Sequence, residues 1–349
     1  MADRSKRHHF VPRLILRGFA NAQGRVLTYD RESGAIYPQG IDRAAAQNDY
    51  NTLTLEDSTR TDTAEKVIAD LVEGPAASLV HRLMRGGRLD GEVERHALAR
   101  LVAFQFLRVP GNREQIDAMQ DSFMKLDMAA GGPMKMRDVL AAEFGRAPTE
   151  DEVREHWAAV RDFDFTSTLP AEYHVQESMR MLDEFTPVLA RAYTWNVIRW
   201  KRRSLLTSDM PVMLIPPPGF ESEPVGLYTA GSIYFAIGRR ASLFLLNRAH
   251  EDSIDGQDLP GTFSLARRLN AIAAGSSRRW VYFHTSDSLD DLLGSGWHLA
   301  PSPTLEFDDD HSVELRSRLR AMGEWAFEHP NEPHPFIGPS SFQPPWDAT

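Results

Sequence analysis

The chain has 349 residues, 42% of them apolar and 25% charged, which are the proportions of an ordinary globular protein. It has no cysteine, which excludes disulfides, thiolate zinc sites and a cysteine nucleophile. No apolar run approaches the length of a transmembrane helix, and the net charge of −10 argues against a wholly cationic nucleic-acid binder. We therefore expect a cytoplasmic protein with no membrane partner.

The charge is unevenly distributed along the chain. The first 25 residues contain six basic residues and one acidic residue, whereas residues 301–349 contain three basic and nine acidic ones. An acidic average is therefore compatible with a local basic groove. Nucleic acid or a nucleotide stays open as a partner, and the oligomeric state is not indicated.

The opening segment has two adjacent imidazoles, His8 and His9, followed by Phe10-Val11-Pro12. Apolar side chains should anchor this segment in the core: Val11, Leu14, Ile15, Leu16 and Phe19. A histidine held in place is a candidate acid, base or metal ligand, and the alternative is a solvated tail or a ring bonded to the backbone. Arg13 adds a cation that a substrate could contact.

Short strands and then helices are predicted next. Residues 26–30 and 35–37 form a predicted β-hairpin with Gly34 at its turn, and residues 50–54 are a second extended piece. Helical spacing then predicts one buried face: Ala64, Val67, Ile68, Leu71 and Val72. Gly74-Pro75 should end that helix, with Pro75 beginning another.

Three more helices precede a change of period. They are predicted over residues 92–108, from the capping box Thr149-x-x-Glu152, and from Pro170 towards Tyr193. Strand alternation follows, interrupted by a helix over residues 263–274, and another helix is expected over 313–327. The predicted strands cover residues 195–200, 204–207, 213–215, 232–237, 242–246 and 279–284.

This order predicts an α+β fold, with an N-terminal β-hairpin and a mostly antiparallel C-terminal sheet around a central helical region. Residues 1–330 should form a single interdependent domain: 1–58 the N-terminal strands, 59–193 the helical region, and 194–330 the sheet with helices. We expect the N-terminal strands to join the C-terminal sheet. Residues 331–349 form a predicted proline-rich arm.

Two polar residues continue the apolar stripe of the helix over residues 92–108. Gln105 and Arg108 follow Leu101 at i+4 and i+7. Burying an amide and a guanidinium costs several kcal/mol unless both are paired. They are therefore either an internal tether or a clamp for an anion, since arginine offers a planar fork of donors.

Ser208 and Asp209 lie in Thr207-Ser208-Asp209-Met210-Pro211, where a turn follows a strand. In one interpretation the two side chains bond the backbone of their own turn. In the other, the Asp209 carboxylate acts as a general base or a hard-metal ligand, and Ser208 contacts substrate.

The segments His9-Phe10-Val11-Pro12 and Leu16-Arg17-Gly18-Phe19 resemble the opening motif of a bacterial family, the domain-of-unknown-function family numbered 4238. The resemblance extends over about residues 6–285. The other matching positions are Tyr50, Glu65, Glu73, Gln105-x-x-Arg108-x-Pro110, Arg113, Thr207-Ser208-Asp209-x-Pro211 and Asn270. The family implies no established activity, so the resemblance supplies candidate residues and no reaction.

We predict that these segments converge on one polar pocket, with His9 and Asp209 as catalytic residues. The predicted substrate-binding residues are His8, Arg13, Gln105, Arg108, Ser208 and Asn270. One hypothesis is a hydrolase of nucleic-acid or nucleotide phosphodiesters, metal-assisted in one form and acting in phage defence. The other is a non-catalytic ligand-binding or protein-interaction module. No cofactor is identified, and a divalent metal stays open.

Overall fold

The computed structural model describes residues 7–54, 59–161, 165–250 and 255–299, together with residues 325, 328 and 329. Its helices are α1 (Arg13–Leu16), α2 (Thr63–Ile68), α3 (Gly74–Met84), α4 (Gly91–Leu107), α5 (Pro110–Phe144), α6 (Glu150–Arg161), α7 (Ala171–Ala192), α8 (Phe263–Gly275) and α9 (Leu289–Leu293). Its strands are β1 (Arg7–His9), β2 (Arg25–Asp30), β3 (Ile36–Gly40), β4 (Ala46–Asn48), β5 (Leu53–Thr54), β6 (Arg60–Thr61), β7 (Tyr193–Arg199), β8 (Thr207–Ser208), β9 (Val212–Ile215), β10 (Ser232–Gly238), β11 (Ala241–Asn247), β12 (Asp258–Pro260) and β13 (Trp280–His284).

The α+β class is confirmed, and most strands pair antiparallel. A five-stranded sheet has the order β12-β7-β11-β10-β9, in which only the β12–β7 pair is parallel. A four-stranded sheet has the order β3-β2-β13-β8. The predicted helix over residues 313–327, apart from Trp325, and the arm over 331–349 lie outside the described residues.

The N-terminal hairpin pairs with a strand near the other end of the described chain. Strands β2 and β3 are antiparallel, Gly34 takes a φ of 70° at their turn, and β2 pairs with β13 in the register Trp280↔Asp30 to His284↔Val26. The positive φ suits glycine, which has no Cβ to clash. The N-terminal strands thus join two of the C-terminal strands, β13 and β8, in a four-stranded sheet that is separate from the five-stranded one.

The described residues divide into two compact units. One takes its residues from Met1–Glu114 and Pro170–Pro303, and the other from Gln115–Leu169 and Thr304–Thr349. Both sheets and their large apolar core belong to the first unit, where α4 packs against α7. The predicted single domain over residues 1–330 stays a prediction.

The second unit has its own small core. The buried side chains of this core are Met128, Met136, Leu140, Val153, Trp157 and Val160. Helix α5 is kinked at Gly132, which takes a φ of 60° immediately before Pro133. The predicted capping box is confirmed: Thr149 N–H donates to Glu152 Oε2 at 2.7 Å, and Glu152 N–H donates to Thr149 Oγ1 at 3.3 Å.

The predicted buried face of the first helix is wrong at two positions. Val67 and Leu71 are exposed, at 38% and 49%. A π-helical turn over Ala69–Glu73 follows α2 and continues into α3, so Gly74-Pro75 does not break the helical path. Because proline clashes with the carbonyl four residues earlier, the wider π turn accommodates Pro75. It also changes the helical phase and so changes the face on which Glu73 lies.

Two other predicted strands are shorter than expected. The piece over residues 50–54 is extended only at Leu53–Thr54, and the one over 204–207 only at Thr207–Ser208. No helix among the described residues combines the length and apolar character that a membrane span requires.

Candidate functional site

The opening segment is anchored in the core, as its apolar side chains predict. Strand β1 pairs antiparallel with β4, with His8 opposite Gln47 and His9 opposite Ala46. The side chains that follow are all at most 1% exposed: Phe10, Val11, Ile15, Leu16 and Phe19. The two imidazoles are therefore held in a fixed backbone position rather than on a solvated tail.

The backbone carbonyl of Phe10 is the centre of the site. Gln105 Nε2 donates to it at 2.8 Å and Arg108 Nε donates to it at 3.1 Å. Both donors lie at the C-terminal end of α4, three residues apart and hence on one face of the helix. Both are buried, with exposed fractions of 0% and 2%.

Arg108 has three further contacts within the first unit. Its Nη1 lies 3.0 Å from Glu73 Oε1, its guanidinium lies 5.1 Å from the centroid of the Phe104 ring, and its carbonyl accepts a hydrogen bond from Tyr50 Oη. One buried atom of each residue of this pair makes no hydrogen bond to any described residue, namely Arg108 Nη2 and Gln105 Oε1. The tether is therefore incomplete. One guanidinium nitrogen and one amide oxygen are left over beside the Phe10 carbonyl.

His9 lies next to this pair and is 8% exposed. Its Nε2 is 3.0 Å from the carbonyl oxygen of Ile41. Because that oxygen can only accept, Nε2 carries a proton. Burial lowers the pKa of His9, the neighbouring Arg13 and Arg108 charges lower it further, and the Ile41 bond and Glu73 act in the opposite direction. At neutral pH the ring is therefore uncharged, and its Nδ1 is an unprotonated base.

We call His9, Phe10, Glu73, Gln105 and Arg108 the Phe10 cluster. Glu73 is its most accessible polar member, with a side chain that is 27% exposed. Because Glu73 pairs directly with Arg108, the buried guanidinium contacts a side chain that solvent reaches.

His8 lies on the other side of the strand and belongs to a separate hydrogen-bond network. Its Nδ1 accepts from the backbone N–H of Asn51 at 2.8 Å. The Asn51 side chain donates to Glu65 and accepts from Arg113 Nη2 at 2.7 Å. Arg113 also lies over the Tyr50 ring, with 3.5 Å between its guanidinium carbon and the ring centroid. This network fixes the turn that carries Tyr50 to the Arg108 carbonyl.

Asp209 is 1% exposed and is bound by backbone amides. Its Oδ1 accepts from Arg278 N–H at 2.9 Å, and its Oδ2 accepts from Arg279 and Trp280 N–H at 2.7 and 3.0 Å. Burial raises the pKa of Asp209, and the three amides and the Arg31 charge oppose that increase. The carboxylate therefore fixes the start of β13. One interpretation of the sequence expected this side chain to bond the backbone of its own turn, and that is not what the structure has.

Trp280 links Asp209 to the Phe10 cluster. Its N–H donates to the carboxylate, and its ring stacks on Phe10 with 5.9 Å between the centroids. Together with Tyr37, Arg43 and Tyr282, both rings also line a small hollow of about 110 Å³. Asp209 thus supports the packing around Phe10 through a neighbour, and its own oxygens face backbone.

The other predicted site residues have partners outside the Phe10 cluster. Ser208 Oγ accepts from Met210 N–H at 3.2 Å, the local turn that was one of the two expectations. The amide of Asn270 is used by three backbone partners: it accepts from Leu206 N–H and donates to the carbonyls of Ser204 and Leu292. Arg13 is half-exposed and pairs with Asp42 at 3.3 Å.

Sequence reasoning did not include Glu73 among the site residues. A buried arginine requires a carboxylate nearby, and Glu73 was among the positions that resemble the family, so a signal was present. Nothing in the sequence indicates that the Phe10 carbonyl is the centre of the site, because every residue has a backbone carbonyl.

No group of three or more His, Cys, Asp or Glu side chains within the described ranges is placed to hold a metal ion. The donor set of the Phe10 cluster is one imidazole, one carboxylate, one amide and one guanidinium. A guanidinium repels cations, so this set does not fit a divalent metal.

A family model described as protein of unknown function (DUF4238) matches residues 7–287. The chain belongs to this family. No curated protein matches the chain, and no solved structure matches it. The match begins at β1 and includes every residue of the Phe10 cluster, so this cluster is part of the family domain.

Proposed function

We propose that the protein binds a small phosphate-bearing anion at the Phe10 cluster, without turning it over. The observation that supports this is the unused Nη2 of Arg108, a nitrogen of a buried guanidinium with no described hydrogen-bond partner. Leaving a buried charged donor unsatisfied costs on the order of 1–3 kcal/mol or more. An anion that accepts from Nη2 would remove that cost.

The charges around the cluster are compatible with an anion. Arg108 pairs with Glu73 and Arg13 pairs with Asp42, so these ion pairs balance and the attraction for an anion depends on the unused Nη2 of Arg108. The unpaired Gln105 Oε1 adds a hydrogen-bond acceptor. A phosphate monoester with one proton offers an acceptor to Nη2 and a donor to Oε1, and a nucleotide or the end of a nucleic acid carries such a group.

Titration calorimetry with inorganic phosphate and with adenosine monophosphate tests this proposal. Arg108→Lys keeps the charge but removes Nη2, so we expect at least tenfold weaker binding. Glu73→Gln keeps the shape and removes a repulsive charge, so binding should become roughly three- to tenfold tighter. Arg180→Gln, which removes an exposed arginine of α7, is the control and should change nothing.

The Glu73→Gln variant keeps the test informative if Arg108→Lys does not fold. Binding of neither anion at millimolar concentration, by the wild type or by Glu73→Gln, would overturn the proposal. Nη2 and Oε1 would then be satisfied by a bridging water, and the cluster would be a tether only.

Hydrolysis of a phosphodiester is the second candidate, and one observation favours it. His9 has an unprotonated Nδ1 and an Nε2–H held by the Ile41 carbonyl, the arrangement of an oriented general base. Arg108 would stabilise the charge that develops on the phosphoryl oxygens. Asp209 is not part of this scheme, because its oxygens accept from three amides, and the scheme uses no metal.

A product-release assay separates the two candidates. Wild-type protein, His9→Gln and Arg180→Gln are incubated with a chromogenic phosphodiester and with a labelled single-stranded oligonucleotide. Hydrolysis predicts product from the wild type and the control, and a roughly 10²- to 10⁴-fold loss in His9→Gln. Nuclease action, and with it a role in phage defence, depends on that result.

A further inference from the structure

A second cationic region lies on the first unit, where β7 ends. The chain leaves β7 through Trp200-Lys201-Arg202-Arg203. These residues, with Arg199, Asp258–Pro260, Gly261 and Phe263, line an open groove of about 690 Å³, which we call the basic groove. Its volume lies within the roughly 300–1,000 Å³ of small-ligand sites.

The cations of the basic groove are not neutralised by the described residues. Lys201, Arg202 and Arg203 are exposed, and none forms an ion pair within the part of the chain that the structure describes. Asp258 is the one carboxylate among the described lining residues, and Arg199 Nε already holds it at 2.9 Å. Arg240 is another exposed cation, and it lies beside the groove because its Nη1 donates to the Lys201 carbonyl at 2.6 Å.

The floor of the groove is rigid. Trp200 is 2% exposed, and its Nε1 donates to the Thr262 carbonyl at 3.1 Å. Gly261 packs directly against the indole, so that a Cβ there would lie 2.2 Å from Trp200 Cε2. Arg199 is held by the carbonyls of Leu83 and Gly87 as well as by Asp258. The exposed cations therefore project from a fixed support.

An exposed aromatic ring lies among these cations. Phe263 is 48% exposed, and the guanidinium carbon of Arg203 lies 3.9 Å from its ring centroid. An arginine over an aromatic ring forms a flat surface, and nucleobases stack on both aromatic rings and guanidinium planes. Proteins that bind single-stranded nucleic acids combine such a stacking platform with cations along the phosphate backbone.

We propose that the basic groove binds a single-stranded segment of nucleic acid, with Lys201 and Arg202 on its phosphates and one base stacked at Phe263 and Arg203. A duplex does not suit this site, because its bases are already stacked. An anionic membrane does not suit it either, because a membrane surface is flat and the groove is concave. The proposal is independent of anion binding at the Phe10 cluster.

Fluorescence anisotropy with a labelled single-stranded oligonucleotide of about 12 nucleotides tests the proposal on the full chain. The triple variant Lys201→Gln/Arg202→Gln/Arg203→Gln should bind at least tenfold more weakly. The slope of log affinity against log salt should fall by about 1.4, since the two phosphate contacts, at Lys201 and Arg202, contribute about 0.7 each. The charge-matched control Arg25→Gln/Lys66→Gln/Arg191→Gln should retain the wild-type affinity and slope.

Phe263→Ala separates stacking from charge. It should weaken binding by roughly 5- to 100-fold with an unchanged salt slope, because stacking releases no counterions. Three results would overturn the proposal: no binding of the oligonucleotide near 50 mM salt, equal losses in the triple variant and its control, or binding to phosphatidylserine vesicles in place of the oligonucleotide.

Discussion

The Phe10 cluster and the basic groove are both built from arginines and aromatic rings, yet they use them in opposite ways. In the cluster, Arg108 is 2% exposed and is held by Glu73, by the Phe10 carbonyl and by the Phe104 ring. In the groove, Lys201 and Arg202 are exposed and have no described ionic partner. The residue type is therefore a poor guide to its role, and burial with partners separates a structural cation from one that is available to a ligand.

The largest expected effect is at Arg108. Arg108→Met leaves the Glu73 carboxylate without its partner and removes one of the two donors to the Phe10 carbonyl, so we expect the free energy of unfolding to fall by about 3–5 kcal/mol. Urea unfolding followed by tryptophan fluorescence measures it. Arg180→Met, which removes an exposed arginine that pairs with Glu177 and Glu184, should cost less than about 1 kcal/mol.

Equal losses in Arg108→Met and Arg180→Met would contradict the comparison, because burial would then not matter. If Arg108→Met does not fold, the single variant Glu73→Gln gives the same information. It removes the ion pair but leaves the Phe10 carbonyl bonded, so its loss should be smaller than that of Arg108→Met.

A smaller effect is expected at Gly261, in the floor of the basic groove. In Gly261→Ala the added Cβ would lie within 2.4 Å of three indole atoms of Trp200, so that the ring or the backbone must move. Overpacking of this kind costs roughly 1–3 kcal/mol. Gly275→Ala is the control, because a Cβ there has no described neighbour within 4 Å. A neutral Gly261→Ala would show that the floor is not rigid.

The pH dependence of stability should distinguish His9 from the more exposed His284. Burial lowers the pKa of His9 in the folded chain below 6.5, so the unfolded chain binds the proton more readily. The contribution of His9 to the free energy of unfolding therefore falls as the pH drops from about 7.5 through 6.5. His9→Gln should reduce the difference in unfolding free energy between pH 7.5 and 5.5.

His284→Gln is the matched variant. Burial also lowers the pKa of His284, but this side chain is less enclosed, so we expect a weaker effect on the pH slope. An unchanged slope in His9→Gln would mean that the folded and unfolded chains bind the proton of His9 equally, so that burial does not lower its pKa.

Sequence patterns predicted well those elements in which apolar residues recur with the period of one buried face. The hairpin at Gly34, helix α4 and the strands β7, β9, β10, β11 and β13 follow from alternation or helical spacing. The π turn at Ala69–Glu73 did not, because a helical pattern assumes a constant 3.6-residue period and the turn interrupts it. Leu71 lies within this turn and was assigned to the buried face for this reason, whereas Val67 precedes the turn and its exposure has no such explanation.

The candidate site could be predicted only in part from the sequence. Polar residues on an apolar stripe, Gln105 and Arg108, indicated a buried tether or clamp, and they meet beside His9. The partner of Asp209 could not be inferred, because it is a row of amides about 70 residues further along the chain. The basic groove was not identified either, since three adjacent cations usually indicate only a solvated surface.

The smallest expected effect is at the groove's exposed cations, and it is the one that most sharpens the comparison. Lys201→Gln/Arg202→Gln should change the free energy of unfolding by less than about 0.5 kcal/mol, since neither side chain has a described ionic partner. Arg203→Gln should cost more, roughly 0.5–1 kcal/mol, because it loses its contact with Phe263. Urea unfolding of the two variants measures both. If the double variant were strongly destabilised, these cations would be structural like Arg108, and weaker oligonucleotide binding by variants of this run would then report lost folding rather than a lost site.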